Sequence, residues 1–303
     1  MNLDGPAADR SAPGPLDGLT LLRYGHTYDT GGGIEQYLVD LNRSLLDRSA
    51  FTTIQVQLTS DPRAVGETET NLGRGRLRRV SLFVEKKSHE QAVAGTAESP
   101  LAHFKHRVVD GLLKVPGVYP LAAPALRRRK IPRRDGEPAH AGETVRTLHQ
   151  RFKADLICLH SAGAADVSEI LAVAEEAKIP VVYVHHFSND RLGGVSMRTQ
   201  LDQVDGVAGV SGADIPSFLR ARFRNVSDGI DTDFFQRSRA QPVGRTYAAP
   251  LIFLPARITP TKGQADLVRA AGELKRRGLE FHVAFAGRTD TPAFFEELKR
   301  LIE

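Results

Sequence analysis

The chain has 303 residues, 41% of them apolar and 25% charged, with one cysteine and no tryptophan. That is enough for two domains with separate cores. A single cysteine excludes a disulfide framework and fits a reducing compartment. No run approaches the ~20 apolar residues of a membrane-spanning helix, so the expected location is the cytoplasm. The net charge of +5 is unevenly spread: 126–134 (LRRRKIPRR) holds six cations in nine residues, and 72–79 holds four arginines. Such clusters suit anionic partners: phospholipid head groups, nucleic acid or phosphorylated substrates.

Residues 1–18 are rich in Gly, Pro, Ala and Asp, and are expected to be a disordered tail without a signal-peptide core. The apolar run 19–24 predicts a first strand. After a loop at 25–33, Ile34, Tyr37, Leu38, Leu41 and Leu45 recur at helical spacing. Thr53, Ile54, Val56 and Leu58 predict a second strand. This β-α-β opening implies a parallel sheet with a right-handed crossover.

Residues 60–150 show less order. Leu101, Phe104, Val108, Leu112 and Val115 share one face of a helix that Pro116 stops, with His103, Lys105, His106, Arg107 and Lys114 around the rest. That helix reads either as a cover for the sheet or as a basic amphipathic segment on an anionic membrane. Beyond it the alternation resumes: a strand over 155–159, a helix over 162–177, a strand over 180–184 ending in His185 and His186, a short strand over 207–210 and a helix near 213–223. Cys158 reads as a buried strand cysteine, since no activating motif adjoins it. An open, doubly wound sheet is expected, with ligands beyond the carboxyl ends of its strands. The loops carrying Gly31–Gly33, Ser161, His185–His186 and Ser211 leave such ends.

Residues 236–249 read as a linker. A second βα series follows: a strand over 251–254, a helix over 264–277 closed by Gly278, a strand over 281–286 and a helix over 293–302. Two βα repeats are few for a doubly wound domain, so the expectation is a chain cut short with a bare sheet edge.

The most informative run is 256–263, Ala-Arg-Ile-Thr-Pro-Thr-Lys-Gly. It joins strand to helix and projects Arg257 and Lys262. Two cations at a helix N-terminus suit a diphosphate, and Gly263 lets backbone approach the ligand. Gly31-Gly32-Gly33 offers the same freedom between the first strand and helix, without matching the dinucleotide fingerprint G-x-G-x-x-G. Side chains alternate along a strand, so one of His185 and His186 points to the ligand side and the other into the protein. Neither has a matched third ligand, so no metal site is expected.

Four runs in order resemble one family: Gly-Gly-Gly-Ile-Glu at 31–35, Val-Ser-Gly-Ala-Asp at 210–214, Asp-Gly-Ile-Asp-Thr-Asp-Phe-Phe at 228–235, and the run at 256–263. Together they resemble the family-4 retaining glycosyltransferases of GT-B fold, over 19–60 and 154–303. The resemblance implies an α/β fold of two Rossmann-like doubly wound domains facing a cleft: an acceptor-side domain over 19–235, a linker, and an incomplete nucleotide-sugar-binding domain over 250–303. It implies transfer of a hexose from a UDP- or GDP-sugar with retention of configuration. Arg257 and Lys262 match the family's donor-diphosphate pair, Gly32 and Gly33 its glycine loop, and His186 the catalytic strand-end histidine near the transferred sugar. No cofactor or metal is implied, and no nucleic-acid partner. The acceptor is left open, a lipid-linked one among the options, which would place the enzyme at the inner face of the membrane. The family's Glu-x7-Glu motif has no counterpart here: Glu296 and Glu303 are seven apart, one short of that spacing. The truncated chain is therefore expected to be inactive by itself. A non-catalytic nucleotide-sugar or membrane-binding module, and another GT-B enzyme such as an epimerase or phosphorylase, are the competing readings.

Overall fold

The computed structural model describes residues 13–14, 16–25, 33–59, 61–83, 122, 140–160, 162–186, 195–211, 215, 217–226, 229, 247–289 and 291–303. Gly31, Gly32, Ser161, the helix expected over 101–115 and the basic stretch 126–134 lie outside them, as does nearly all of the expected linker. The chain divides into two compact units, Met1–Phe234 and Phe235–Glu303.

In the first unit the strands are β1 (Thr20–Gly25), β2 (Thr52–Thr59), β3 (Gly66–Leu72), β4 (Gly75–Phe83), β5 (Leu156–His160), β6 (Val181–His185), β7 (Gly206–Gly209) and β8 (Phe223–Asn225). Its helices are α1 (Gly33–Arg48), α2 (Ala141–Phe152), α3 (Ala164–Ala177) and α4 (Val195–Leu201). The strands form one sheet in the order β3-β4-β2-β1-β5-β6-β7-β8. Every neighbouring pair is parallel except β3–β4. From β1 the chain builds outward to β2 on one side and to β5, β6 and β7 on the other. The strand order therefore reverses between β1 and β5, the switch point of a doubly wound sheet.

Period-2 alternation sends the strand side chains to two different layers. Leu22, Tyr24, Ile54, Val56, Ile157, Leu159, Val181 and Tyr183 face the larger core, which Val145 and Leu148 of α2, Val167, Ile170 and Val173 of α3, and Leu201 of α4 complete. Leu21 and Leu77 face Leu46 of α1. A fully buried aliphatic side chain contributes roughly 1.5–3 kcal/mol, so the α2–α3 face holds most of this unit's stability. Helices α2 and α3 end without glycine. Lys153 and Lys178 take the left-handed conformation, with φ of 55° and 56°, and each donates its N–H to a carbonyl of the last turn.

The structure departs from the sequence reading in four places. Residues 66–83, expected to be irregular, form the β3–β4 hairpin, with Gly73 at φ +54° in its turn. Two of the four arginines of 72–79 are already paired: Arg78 with Glu67 and Glu69, and Arg74 with Asp17. Helix α2 was also unexpected, although Ala141, Val145, Leu148 and Phe152 carry its spacing. Of the helix expected near 213–223, the described residues form only a 3-10 turn, Ser217–Leu219, before Phe223 opens β8. Within the expected tail, residues 16–18 form a turn. Asp17 there accepts the Ala50 N–H at 2.7 Å, and Leu16 packs on the α1 side of the sheet.

The second unit holds β9 (Leu251–Pro255), α5 (Gln264–Arg276), β10 (His282–Ala286) and α6 (Pro292–Ile302). Its two strands are parallel. Ile258, Phe294 and Leu298 make a small core, and Phe253 is 55% exposed. Among the described residues no helix is long and apolar enough to cross a membrane.

Candidate active site

Central strands of a parallel sheet are usually apolar on both faces. On the α1 face this one is not. Gln55, Arg23 and Cys158 are register partners across β2, β1 and β5. Arg23 is 3% exposed, and its guanidinium donates to Asn42 Oδ1 of α1. Asn42 Nδ2 in turn donates to Gln55 Oε1 at 2.8 Å. Among the described residues no carboxylate pairs with Arg23. Burial lowers its pKa, and the nearby Cys158 and Tyr37 partly offset that. Burial likewise pushes the Cys158 thiol up, against the pull of Arg23. A thiol so held stays protonated, which agrees with its reading as a strand cysteine.

One pleat further, at the carboxyl ends of β1 and β5, Gly25 lies opposite His160. His160 Nδ1 is 3.0 Å from His186 Nε2. Tyr37 of α1 meets the His186 ring edge-on, with 5.2 Å between centroids. Burial, then Arg23, then His186, hold the His160 pKa well below that of an ordinary histidine. His185, the other member of the pair, is buried and stacks on Tyr183 toward the larger core. Alternation thus separates the two histidines: His186 belongs to the cluster at the switch point and His185 to the interior.

In the second unit the strand-to-helix loop is built by its own hydrogen bonds. Ala256 N donates to Ala286 O at 3.0 Å and Ile258 N to Arg288 O at 2.9 Å, extending the β9–β10 pairing into the loop. Gln264 Nε2 donates to Arg257 O at 2.7 Å. Pro260–Lys262 is a 3-10 turn, and Gly263 then enters α5 at φ +76°. Among the described residues no side chain caps the α5 N-terminus, which leaves its first N–H groups without an intrahelical acceptor. Arg257 and Lys262 are both exposed on this loop. Gly33 is the first residue of α1; Gly32 lies outside the described residues. Among the described residues no group of three or more His, Cys, Asp or Glu could hold a metal ion.

Sequence reasoning passed over Arg23, Asn42, Gln55 and His160. A signal for Arg23 was present, since a cation interrupts the apolar run Leu-Leu-Arg-Tyr, but only the pairing of β1 with β2 and β5 shows what surrounds it.

No protein-family model and no curated protein matches the chain. Solved structures do. Trehalose-6-phosphate synthase, OtsA, superposes with a TM-score of 0.55 at 12% identity, over 94% of this chain and 68% of that one. A structure from E. coli bound with UDP-2-fluoro glucose gives 0.53 at 12% identity, over 93% and 68%. Anabaena HepE in complex with UDP-glucose gives 0.51 at 13% identity, over 94% and 65%. The chain thus spans about two thirds of the length of these proteins. The fold is GT-B. At such identities the likeness is one of fold. In a GT-B chain the His160–His186 cluster and the Arg257–Lys262 loop both stand at carboxyl ends of parallel strands, where open α/β sheets hold their ligands.

Proposed function

We propose that this protein is a glycosyltransferase that moves a hexose from a nucleoside-diphosphate sugar to an acceptor with retention of configuration. The observation that carries the reading is the loop 256–263 on a GT-B fold. Arg257 and Lys262 are exposed beside an uncapped helix N-terminus, and this cationic, donor-rich end suits a diphosphate. The structural neighbours support a nucleotide-sugar donor: HepE is described in complex with UDP-glucose, and one study of trehalose-6-phosphate synthase concerns glycosyl transfer with retention.

In this reading Arg257, Lys262 and the α5 N-terminus neutralise the negative charge that grows on the leaving diphosphate as the glycosidic bond breaks. Preorganised donors of this kind require little rearrangement at the moment of reaction. His186 stands beside the transferred sugar, and Gly32 and Gly33 let the first unit's backbone approach the donor. The six cations of 126–134 dock the enzyme on an anionic membrane surface, each contributing about 1 kcal/mol near the lipid, which suits a lipid-linked acceptor.

The test is turnover of a panel of UDP- and GDP-sugars, with NMR of the first-formed product anomer. Retention with one donor supports the reading. An inverted product, or neither binding nor turnover of any nucleotide sugar, overturns it. Sedimentation with anionic and neutral vesicles at low and high salt tests the docking. Equal binding to both lipids removes the electrostatic mechanism.

A further inference from the structure

The His160–His186 contact has a direction that the burial of the two rings decides. The rings are nearly coplanar, 22° apart, with centroids 5.3 Å apart and the 3.0 Å bond running between their edges. One nitrogen donates and the other accepts. His160 is 4% exposed, and its far nitrogen, Nε2, is buried with no hydrogen-bond partner among the described residues. A buried N–H without an acceptor is rarer and more costly than a buried lone pair without a donor. The Arg23 guanidinium on the same side of the sheet disfavours a second proton on the ring, which keeps His160 neutral. His160 therefore carries its proton on Nδ1 and donates it to His186 Nε2. A neutral His186 that accepts at Nε2 must carry its own proton on Nδ1.

We propose that His160 is a positioning residue that fixes His186 in the Nδ1–H tautomer and sets its ring plane. Resting on the transferase reading, this assigns His186 a specific task. Its Nε2 lone pair is engaged, so the ring does not act as a base through that atom. The protonated Nδ1 is then the nitrogen from which the ring donates a hydrogen bond. The pair also resists charging. A proton added to His186 Nε2 would face the His160 N–H and would force the His160 proton onto its orphaned nitrogen. Among the described residues, Arg23 on β1 acts on His160 and Tyr37 on α1 meets His186, and neither is a carboxylate.

Long-range 15N–1H NMR of the histidine rings in the intact chain at neutral pH reads the tautomers directly, with His160→Phe and His186→Phe used for assignment. Both rings are expected to be neutral and protonated on Nδ1. An Nε2–H tautomer of His186, or an imidazolium at either position, overturns the proposal. In His160→Phe, which keeps a buried ring but removes the donor, His186 should shift toward the Nε2–H form. In His160→Asn, which retains an N–H donor, His186 should stay Nδ1–H. An unchanged His186 tautomer in His160→Phe overturns the positioning role, whether or not the protein has activity. With the preferred nucleotide sugar, His160→Phe should raise the Kd roughly fivefold, the loss of about one net hydrogen bond. His160→Asn should recover most of it, and affinity for UDP alone should not move in either variant. Failure to bind any nucleotide sugar would overturn the transferase reading and leave the tautomer assignment to be judged by NMR.

Discussion

Gly25, the last residue of β1, faces the backbone carbonyl of His160 so closely that a Cβ at Gly25 would lie 2.4 Å from that oxygen and 3.0 Å from the His160 Cβ. The two residues are register partners at the point where the strand order reverses. Only glycine lets the two strands pair normally there, and the pairing sets the height at which the His160 ring meets His186.

Gly25→Ala should therefore destabilise the first unit by about 1–3 kcal/mol, the range for overpacking against atoms that cannot move aside. It should also shift the His160 and His186 ring resonances. Urea denaturation with paired NMR spectra checks both effects. A variant as stable as the parent, with unmoved histidine signals, would show that the two strands can separate without consequence.

The Arg23–Asn42–Gln55 chain yields an unequal pair of mutations. Asn42→Ala removes the acceptor of a buried guanidinium and should lower stability by about 1.5–3 kcal/mol. Arg23→Met removes the charge itself and keeps an apolar stem of similar length. Replacing a buried ionic group with an apolar one is often neutral or stabilising, so Arg23→Met should cost less than Asn42→Ala. Urea midpoints of both single variants and the double variant measure the difference. The reverse order would mean that Arg23 has a buried anionic partner after all.

His160 makes stability depend on pH in a defined window. Its folded pKa lies well below the unfolded 6.5, chiefly because it is buried. As pH falls below about 6.5, the unfolded chain takes up a proton that the folded chain does not. Stability then falls, by as much as about 1.4 kcal/mol per pH unit from this one group. Above that range the group contributes no slope. Denaturation midpoints between pH 7.5 and 5.5 should show the decline, and His160→Asn should flatten it. If the variant keeps the parent's full slope, another group is responsible.

Arg257→Ala and Lys262→Ala should each weaken nucleotide binding by roughly 1.5–3 kcal/mol, the range for hydrogen bonds to charged groups. Both side chains are exposed, so the folded state should lose little stability. Calorimetry with UDP and GDP, together with thermal melts, separates the two effects. Unchanged affinity for the preferred nucleotide would remove these residues from the diphosphate site.

Outside 60–150, the periodicity of the residues reports most of the strands and helices and their alternation. The spacing of Tyr37, Leu38, Leu41 and Leu45 reports α1, and the β-branched run of Thr53, Ile54 and Val56 reports β2, because each periodicity reflects a single buried face. The loop at 256–263 was legible for a similar reason: its cations, proline and glycine are contiguous, and local backbone chemistry suffices to place them between strand and helix. Only the tertiary structure decided what Arg23, Asn42, Gln55, His160 and His186 do together. They come from strands β1, β2 and β5, helix α1 and the residue that follows β6, separated by up to 163 positions in sequence from Arg23 to His186. Parallel pairing of β1 with β5, and of β5 with β6, brings them to one face. The hairpin β3–β4 escaped notice because its first strand is exposed on both faces and so carries no apolar alternation. Arginines that read as a patch for an anionic partner were partly committed to Asp17, Glu67 and Glu69. Charge is written in the sequence, but whether a charge is already neutralised depends on which carboxylates the fold brings within reach.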